Sequence, residues 1–258
     1  RRSATLDLNK IRQAGMVVPD TKRSRIKEEY RHIKRPLLMN AAGKGASVVD
    51  YSNLIMVTSA SPGEGKTFTA INLALSIASE RDRTVLLVDA DVVKPSVSKF
   101  FGVDTGLGLV DFLIDESLDL SEVLVETNIP SLSILPAGST HHLSTELLSS
   151  ENMRDLAHEM SRRYPDRIVV FDSPPLLATT EARVLAALVG QVVMVVEAES
   201  TQQVQVEEAL ALLDPETIIG FVLNKTRHIL GSGYYRSPYY YYGYGYGYGY
   251  QYGDSGRD

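Results

Sequence analysis

Apolar residues occur along the chain in six short runs that contain many β-branched residues. Nearly every position in these runs is apolar, a pattern typical of strands that are covered on both faces. The predicted strands lie at 53–59, 84–90, 132–137, 167–173, 191–198 and 217–224.

The segments between these runs have apolar residues at three- and four-residue spacing, which indicates helices. The predicted helices lie at 66–80, 108–126, 145–163, 180–189 and 203–213. Alternating strands and helices predict an α/β fold with a doubly wound, mostly parallel sheet and helices on both faces.

One more amphipathic helix is predicted ahead of the first strand, in the sequence SRIKEEYRHIKRPLL. Ile26, Tyr30, Ile33 and Leu37 share one stripe of this helix, and charged residues occupy the rest. Pro36 is expected to end or kink it, because proline removes a helical hydrogen bond.

The charge of the chain is unevenly distributed. Its formal net charge is −6, but residues 1–35 hold eleven Lys or Arg against four Asp or Glu. A basic arm therefore precedes an acidic body, and the overall charge favours neither nucleic acid nor bulk membrane as a partner.

The absence of cysteine fits a reducing compartment. No apolar run is long enough to span a bilayer, and no leader opens the sequence. The expected location is therefore cytoplasmic, peripheral to the inner membrane only through a partner.

Tyrosine is concentrated near the C-terminus, where eleven of the fourteen tyrosines fall within 234–252. Glycine at every second position from 243 raises backbone entropy and leaves no continuous apolar face, so a flexible tail is predicted. The expected organisation is a basic arm and helix at 1–35, a globular domain at 36–230 and the tail at 231–258. The tyrosines in the tail are Tyr234, Tyr235, Tyr239, Tyr240, Tyr241, Tyr242, Tyr244, Tyr246, Tyr248, Tyr250 and Tyr252.

The sequence ASPGEGKT at 60–67, between a predicted strand and a predicted helix, matches a phosphate-binding P-loop except that Ala60 replaces the first glycine. Lys66 is expected to neutralise the β- and γ-phosphates, and Thr67 to hold Mg²⁺ through its hydroxyl. The alternative is a glycine-rich turn with an incidental lysine. The predicted nucleotide-contacting residues of the loop are Ser61, Pro62, Gly63, Glu64, Gly65, Lys66, Thr67 and Phe68.

Two further predicted strands end in carboxylates, at Asp89 and Asp91 and at Asp172. Ligands of open parallel sheets bind at the carboxyl ends of strands, so these acids are expected beside the loop. There they would supply oxygen partners to a phosphate-bound Mg²⁺. For either site alone, an Asp that caps a helix or opens a turn is an equal alternative. Together with the loop, the pattern predicts a P-loop NTPase-type fold that binds ATP or GTP with Mg²⁺.

With these residues the chain resembles the bacterial tyrosine kinases (BY-kinases) of capsule and exopolysaccharide systems. The resemblance rests first on SPGEGKT, LLVDADVVKP and VVFDSPP, which match the family's Walker A, A′ and B motifs in that order. It also rests on the upstream EEYRHIK and on the tyrosine cluster. Within the family it is most similar to the autokinases associated with exosortase (PEP-CTERM) loci, at RSRIKEEYRHIKRPLL and DRIVVFDSPPLLATTEARVLA.

The resemblance implies an ATP- and Mg²⁺-dependent autokinase that phosphorylates its own tail, in trans within an oligomer. Lys66, Asp89 and Asp91 would be catalytic, with Asp89 the preferred base, although the sequence does not separate it from Asp91. Thr67, Asp91 and Asp172 would hold the metal, and the Asn224 amide would contact adenine; an Asn that caps a strand end is the alternative.

The resemblance also implies partners. Glu28, Arg31 and Lys34 match the family's oligomerisation helix, and Arg31 and Lys34 are expected to pair with the acidic body of the next subunit in a ring. Further expected partners are the cytoplasmic segment of a membrane polysaccharide co-polymerase, as activator, and a phosphotyrosine phosphatase.

The sequence departs from the family pattern at two further positions. Val93 stands in place of an arginine, and Lys34 replaces another arginine, which could have made a bidentate contact. Two other classes of function stay open. Partition and division-site ATPases of the MinD/ParA class share the three motifs but carry a signature lysine where Ser61 stands here. A nucleotide-gated adaptor with an aromatic tail is the third possibility.

Overall fold

The structure is a computed structural model that describes residues 2–20, 23–45, 49–103, 106–164 and 166–226. These residues all belong to the first of two compact units, Arg1–Thr226. The predicted tail at 231–258, with its eleven tyrosines, lies outside the described residues.

The six predicted strands are confirmed to within two residues, and two short strands join them. The described strands are β1 (Arg2–Ala4), β2 (Leu54–Ser59), β3 (Thr84–Asp89), β4 (Val125–Thr127), β5 (Leu132–Leu135), β6 (Arg167–Asp172), β7 (Gln191–Glu197) and β8 (Ile218–Asn224). They form one sheet in the order β1-β4-β5-β3-β6-β2-β7-β8. All neighbours pair in parallel except β4 and β5, which are antiparallel.

Ten helices are described in the same part of the chain. They are α1 (Leu8–Gln13), α2 (Arg25–Ala41), α3 (Lys66–Ile77), α4 (Val97–Phe101), α5 (Leu109–Ile114), α6 (Leu120–Val123), α7 (Ser144–Leu148), α8 (Glu151–Arg162), α9 (Thr180–Ala186) and α10 (Gln203–Leu210).

Helices cover both faces of the sheet, as predicted. Alternate strand residues belong to two separate apolar clusters, with Met56 and Phe171 in one and Val57 and Val170 in the other. The first cluster includes residues of α5, α8, α9 and α10, and the second includes residues of α1, α2, α3 and α4. The architecture is therefore the doubly wound, mostly parallel α/β fold that the sequence predicts.

Two predicted helices are each divided in the structure. The segment 108–126 forms α5, α6 and the first two residues of β4, because Asp119 caps a new helix through the backbone N–H of Ser121, at 2.8 Å. The segment 145–163 forms α7 and α8, since the Ser150 hydroxyl accepts from Met153 N at the start of α8. Local capping thus interrupts a helical pattern that looks continuous in the sequence.

The N-terminal residues form part of the core. β1 pairs with β4, and Leu6, Ile11 and Val17 are buried. The backbone N–H of Val17 donates to the Asn72 side chain at 2.7 Å. The basic composition of residues 1–35 therefore lies on a segment that packs against the sheet and α3.

Of the two effects predicted for Pro36, an end or a kink of the helix, the first is wrong, because α2 continues through Pro36 to Ala41. Proline removes the hydrogen bond to the carbonyl four residues earlier, which belongs to His32. Both His32 and Pro36 are exposed, so water can hydrate that carbonyl. Among the described residues, no helix has the length and apolar character needed to cross a bilayer.

Candidate functional site

The candidate site lies at the carboxyl edge of the three central strands β3, β6 and β2. In the sheet register Asp172 of β6 is level with Asp89 of β3 and with Val57 of β2. The P-loop begins just after Val57, at Ala60, so loop and acids emerge from adjacent strands. This placement follows from parallel pairing alone, because parallel strands present their carboxyl ends at one edge.

The loop turns into α3 through two glycines with left-handed backbones. Gly63 has a φ of 89° and Gly65 a φ of 99°, a region that side chains disfavour. Lys66 is the first residue of α3, a helix of 12 residues, so the unpaired N–H groups of its first turn face the site. Such a helix end favours phosphate oxygens.

We expect Gly65→Ala to weaken nucleotide binding about tenfold or more. The added Cβ would need a positive φ and would lie 2.0 Å from the Asn224 amide nitrogen. Isothermal titration with ATP measures the effect. Gly43→Ala is the control, because Gly43 also has a positive φ, of 66°, but no neighbour within 4 Å of the added Cβ. Equal ATP affinity of the two variants would contradict the role of this contact.

Three residues at or just beyond the ends of β7 and β8 bond to the P-loop. We name these residues, Thr201, Asn224 and Lys225, together with Glu64 of the loop, the clasp. The buried Glu64 carboxylate accepts from Ser61 N at 2.8 Å and from the Thr201 hydroxyl. Asn224 Nδ2 donates to Glu64 O at 2.9 Å. Lys225 Nζ donates to Gly63 O at 2.8 Å. The loop is therefore fixed before any phosphate arrives.

Sequence reasoning assigned no site role to Thr201 or Lys225. They reach the loop because β7 pairs with β2 on one side and with β8 on the other. Asn224 donates its amide nitrogen to the loop backbone, and its predicted contact with adenine stays a prediction. Phe68, also predicted to contact the nucleotide, is half-buried in α3 and packs against the apolar cluster that includes α2.

Lys66 points at the second acid of the Walker A′ sequence. Its Nζ lies 3.2 Å from Asp91 Oδ2, and only 14% of the Lys66 side chain is exposed. The other Asp91 oxygen accepts from Lys94 N at 3.0 Å. The ammonium is thus held beside the loop by a carboxylate that can also bind a cation.

Asp89 is fully buried and uses its two oxygens differently. Oδ2 accepts from Ser96 N at 3.1 Å and from Val97 N at 3.0 Å, which anchors the start of α4. Oδ1 has no hydrogen-bond partner among the described residues. Burial raises the pKa of Asp89 to about 6, opposed by these backbone donors.

Asp172 is the most perturbed acid of the site. It is fully buried, and neither of its carboxylate oxygens has a hydrogen-bond partner of standard geometry among the described residues. Burial, together with the Asp89 charge, raises the pKa of Asp172 to about 8, although the Thr67 hydroxyl and Lys66 oppose the rise. Perturbed acids in a cleft are typical of functional sites.

The donor set fits a phosphate-bound Mg²⁺. The two Asp172 oxygens without partners, the Asp91 carboxylate and the Thr67 hydroxyl are hard oxygen donors of the kind Mg²⁺ prefers. Within the described ranges no group of three His, Cys, Asp or Glu could enclose a metal ion unaided. A Mg²⁺ ion here would therefore take further oxygens from phosphates and water, which is its usual mode of binding.

The three predicted oligomerisation residues of α2 have different environments. Arg31 Nη1 pairs with Glu28 Oε2 at 2.6 Å on the exposed face of the helix. Lys34, in contrast, is buried: its Nζ donates to Ser76 O at 2.6 Å and pairs with Glu80 at 2.6 Å. Lys34 therefore fastens α2 to α3 within one subunit, which differs from the expectation that it pairs with a neighbouring subunit.

Comparison with known proteins agrees with this geometry. Residues 52–213 match the AAA domain family. The chain is similar to the tyrosine-protein kinase YwqD of Bacillus subtilis, with 33% identity over 82% of this chain and 86% of the relative. It spans only 23% of a longer relative, the tyrosine-protein kinase ptk of Acinetobacter johnsonii, with 32% identity over 67% of this chain.

Solved structures give the same result. The chimerical protein CapA2B2 superposes with a TM-score of 0.70 at 26% identity, over 85% of this chain and 99% of that one. The septum site-determining protein MinD of Pyrococcus horikoshii, solved with Mg-ADP, superposes with a TM-score of 0.52 at 25% identity, over 66% and 69% of the two chains. The P-loop NTPase fold implies nucleotide binding. From the likeness to YwqD over most of both chains we conclude that the protein belongs to the bacterial protein-tyrosine kinases.

Proposed function

We propose that the protein is an ATP- and Mg²⁺-dependent autokinase that phosphorylates the tyrosine cluster at 234–252, in trans within an oligomer. The observation that carries the proposal is the buried group of Asp89, Asp91 and Asp172 beside Lys66. Phosphoryl transfer needs a cation beside the γ-phosphate, oxygen ligands for Mg²⁺ and a base for the tyrosine, and this group can supply all three. By its likeness to CapB of Staphylococcus aureus, at 29% identity, we assign the kinase to capsule or exopolysaccharide synthesis and export.

We assign the roles of the residues from their positions. Backbone N–H groups of the loop and the first turn of α3 bind the β- and γ-phosphates, and Lys66 neutralises their charge. Thr67, Asp91 and Asp172 would hold a Mg²⁺ ion, which would supply positive charge that offsets the phosphate oxygens.

The tyrosine oxygen attacks the γ-phosphorus while the bond to the β-phosphate oxygen breaks, and ADP leaves. The phenol, whose pKa is about 10 in water, must give up its proton in this step. Asp89 is our choice of base, because Oδ1 is its free oxygen whereas Asp91 already pairs with Lys66.

Incubation of the purified protein with Mg-ATP, followed by phosphotyrosine mapping by mass spectrometry, tests the proposal. To test transfer between subunits, Lys66→Met protein labelled with ¹⁵N is mixed with unlabelled wild-type protein. Phosphotyrosine on ¹⁵N peptides from 234–252 is the expected result. Phosphate on unlabelled peptides alone would exclude transfer in trans.

The MinD likeness supports a second candidate, an ATPase switch that phosphorylates no protein. Ser61 stands where that class has its signature lysine, and its hydroxyl accepts from Gln205 Nε2 at 3.3 Å within the same chain. ATP hydrolysis without any phosphotyrosine would favour the switch. ATP binding without either activity would favour a nucleotide-gated adaptor.

We propose that α2 contributes to a ring of subunits through the exposed pair of Glu28 and Arg31. Arg31→Ala is expected to give a monomer that binds ATP normally but labels its tail at least about tenfold more slowly, because the acceptor comes from a neighbour. Light scattering and phosphotyrosine labelling measure the two effects. Arg35→Ala, an exposed arginine of the same helix, is the control. Oligomers of Arg31→Ala that match those of Arg35→Ala would contradict the proposal.

The chimerical CapA2B2 structure supports an activator of the CapA type, and we propose the cytoplasmic segment of a membrane polysaccharide co-polymerase in that role. Such a partner would hold the kinase at the inner membrane. A phosphotyrosine phosphatase would reverse the labelling, and the exosortase-associated autokinases are the subfamily we propose.

A further inference from the structure

Three aliphatic side chains lie exposed on the loops that follow strands β3, β5 and β6. The exposed fractions are 61% for Val93, 42% for Leu143 and 38% for Leu177. None of them contributes to the apolar clusters on the two faces of the sheet. We name these three residues the apolar rim.

The topology brings the apolar rim next to the acids. Val93 follows Asp91 by two residues on the loop after β3. Leu177 lies on the loop after β6, and β3 and β6 are neighbouring strands about 5 Å apart in the sheet. Leu177 N donates to Ala60 O at 3.2 Å, at the start of the P-loop. Leu143 comes just before α7, where Thr145 donates to Glu181 of α9 at 2.6 Å.

The loops that carry the apolar rim hold little exposed charge. The described segments 90–96, 136–143 and 173–179 contain two residues of the Asp, Glu, Lys and Arg types, Asp91 and Lys94. Asp91 is buried in the site, so Lys94 is the one exposed charge on these segments. Apart from Lys94, the exposed surface of these loops is therefore formed by apolar and uncharged polar residues.

The acceptor sequence has matching chemistry. Residues 237–252 read SPYYYYGYGYGYGYQY and contain no charged residue. We propose that the apolar rim binds the tyrosine rings that flank the reacting tyrosine in segment 239–252 of a second copy of the chain. This inference rests on the proposed function and adds to it the sequence context that the site selects.

The alternation of Tyr and Gly suits such a surface. An extended segment places alternate residues on one side, so the tyrosines at even positions from 242 to 252 would form one row. Neighbouring rings in that row are about 6.8 Å apart. A shift of two residues brings the next tyrosine to the acids and sets equivalent rings against the apolar rim. One surface can thus serve several tyrosines in succession.

Peptides test the idea on the full-length wild-type protein. The first peptide has the sequence of residues 242–252. In the second, every tyrosine except Tyr246 is replaced by serine, and in the third by aspartate. With Mg-ATP, and with peptide concentration counted as tyrosine residues, we expect the KM of the second and third peptides to be at least tenfold higher than that of the first. The reason is that the flanking rings no longer bury apolar surface.

Variants of the apolar rim provide the second measurement. Val93→Asp and Leu177→Asp are expected to raise the KM for the first peptide at least tenfold, with kcat and ATP binding changed less than about threefold. Val93→Leu should restore the wild-type KM, and Ile114→Asp, an exposed aliphatic residue at the end of α5, is the control. Melting temperatures show whether each variant is folded.

The outcomes separate the inference from the function on which it rests. If the wild-type protein labels its tail but treats all three peptides alike, the inference is overturned and the kinase assignment stands. The same holds if the folded aspartate variants keep the wild-type KM. If the wild-type protein labels neither its tail nor any peptide, both the proposed function and the inference fail.

Discussion

Replacement of Lys66 by methionine is expected to lower tail phosphorylation by at least about a thousandfold. The Lys66 ammonium lies at the first turn of α3 and is mostly buried beside Asp91, so no water or neighbouring cation can fully replace it. Methionine keeps the length of the side chain but removes the charge that balances the phosphates. We also expect weaker ATP binding, measured by isothermal titration beside the phosphotyrosine assay.

Lys99→Met is the matched control, because Lys99 is an exposed lysine of α4 away from the loop. It should keep the wild-type rate. Normal tail labelling by a folded Lys66→Met protein, as judged by its melting temperature, would overturn the kinase mechanism proposed here.

Asp172→Asn is expected to have two opposite effects. Labelling should fall by about a hundredfold or more, and the Mg²⁺ concentration needed for half-maximal rate should rise, because a charged ligand is lost. The protein without nucleotide should become more stable, since burial raises the pKa of Asp172 to about 8 and folding at neutral pH therefore costs the protonation of this carboxylate, which a neutral amide avoids. For a unit of this size each kcal/mol of added unfolding free energy raises the melting temperature by roughly 2–4 °C.

Asp155→Asn serves as the control, because Asp155 is exposed on α8 and should show neither effect. The contrast of lower activity with higher stability is characteristic of a residue retained for ligand binding. An unchanged Mg²⁺ requirement in Asp172→Asn would show that the carboxylate is only structural.

The sequence predicts the central sheet well, because its strands are buried on both faces and therefore apolar at nearly every position. It also places Asp89, Asp91 and Asp172 at one edge, since parallel pairing leaves few alternatives. Helix boundaries are less predictable. The helical spacing of apolar residues continues past Asp119 and Ser150, although each of these residues caps the start of a new helix.

Other features depend on contacts between distant parts of the chain and have no local signal. The clasp forms only because β8 lies two strands from β2 in the sheet. Lys34 looks like a surface residue in the sequence, yet the carbonyl of Ser76 and the Glu80 carboxylate bind it inside the subunit. Strand β1 pairs through three residues whose composition gives no strand pattern.

The clasp also determines when a newly made chain can first bind nucleotide. Thr201 follows Glu64 by 137 residues and Asn224 follows it by 160. At the usual speed of translation, about 5–20 residues per second, the P-loop waits roughly 8–30 s for the strand that fixes it. We therefore expect ATP to have little influence on folding before β8 is made. A ribosome stalled before β8 would carry the complete Walker A, A′ and B sequences but no finished nucleotide site.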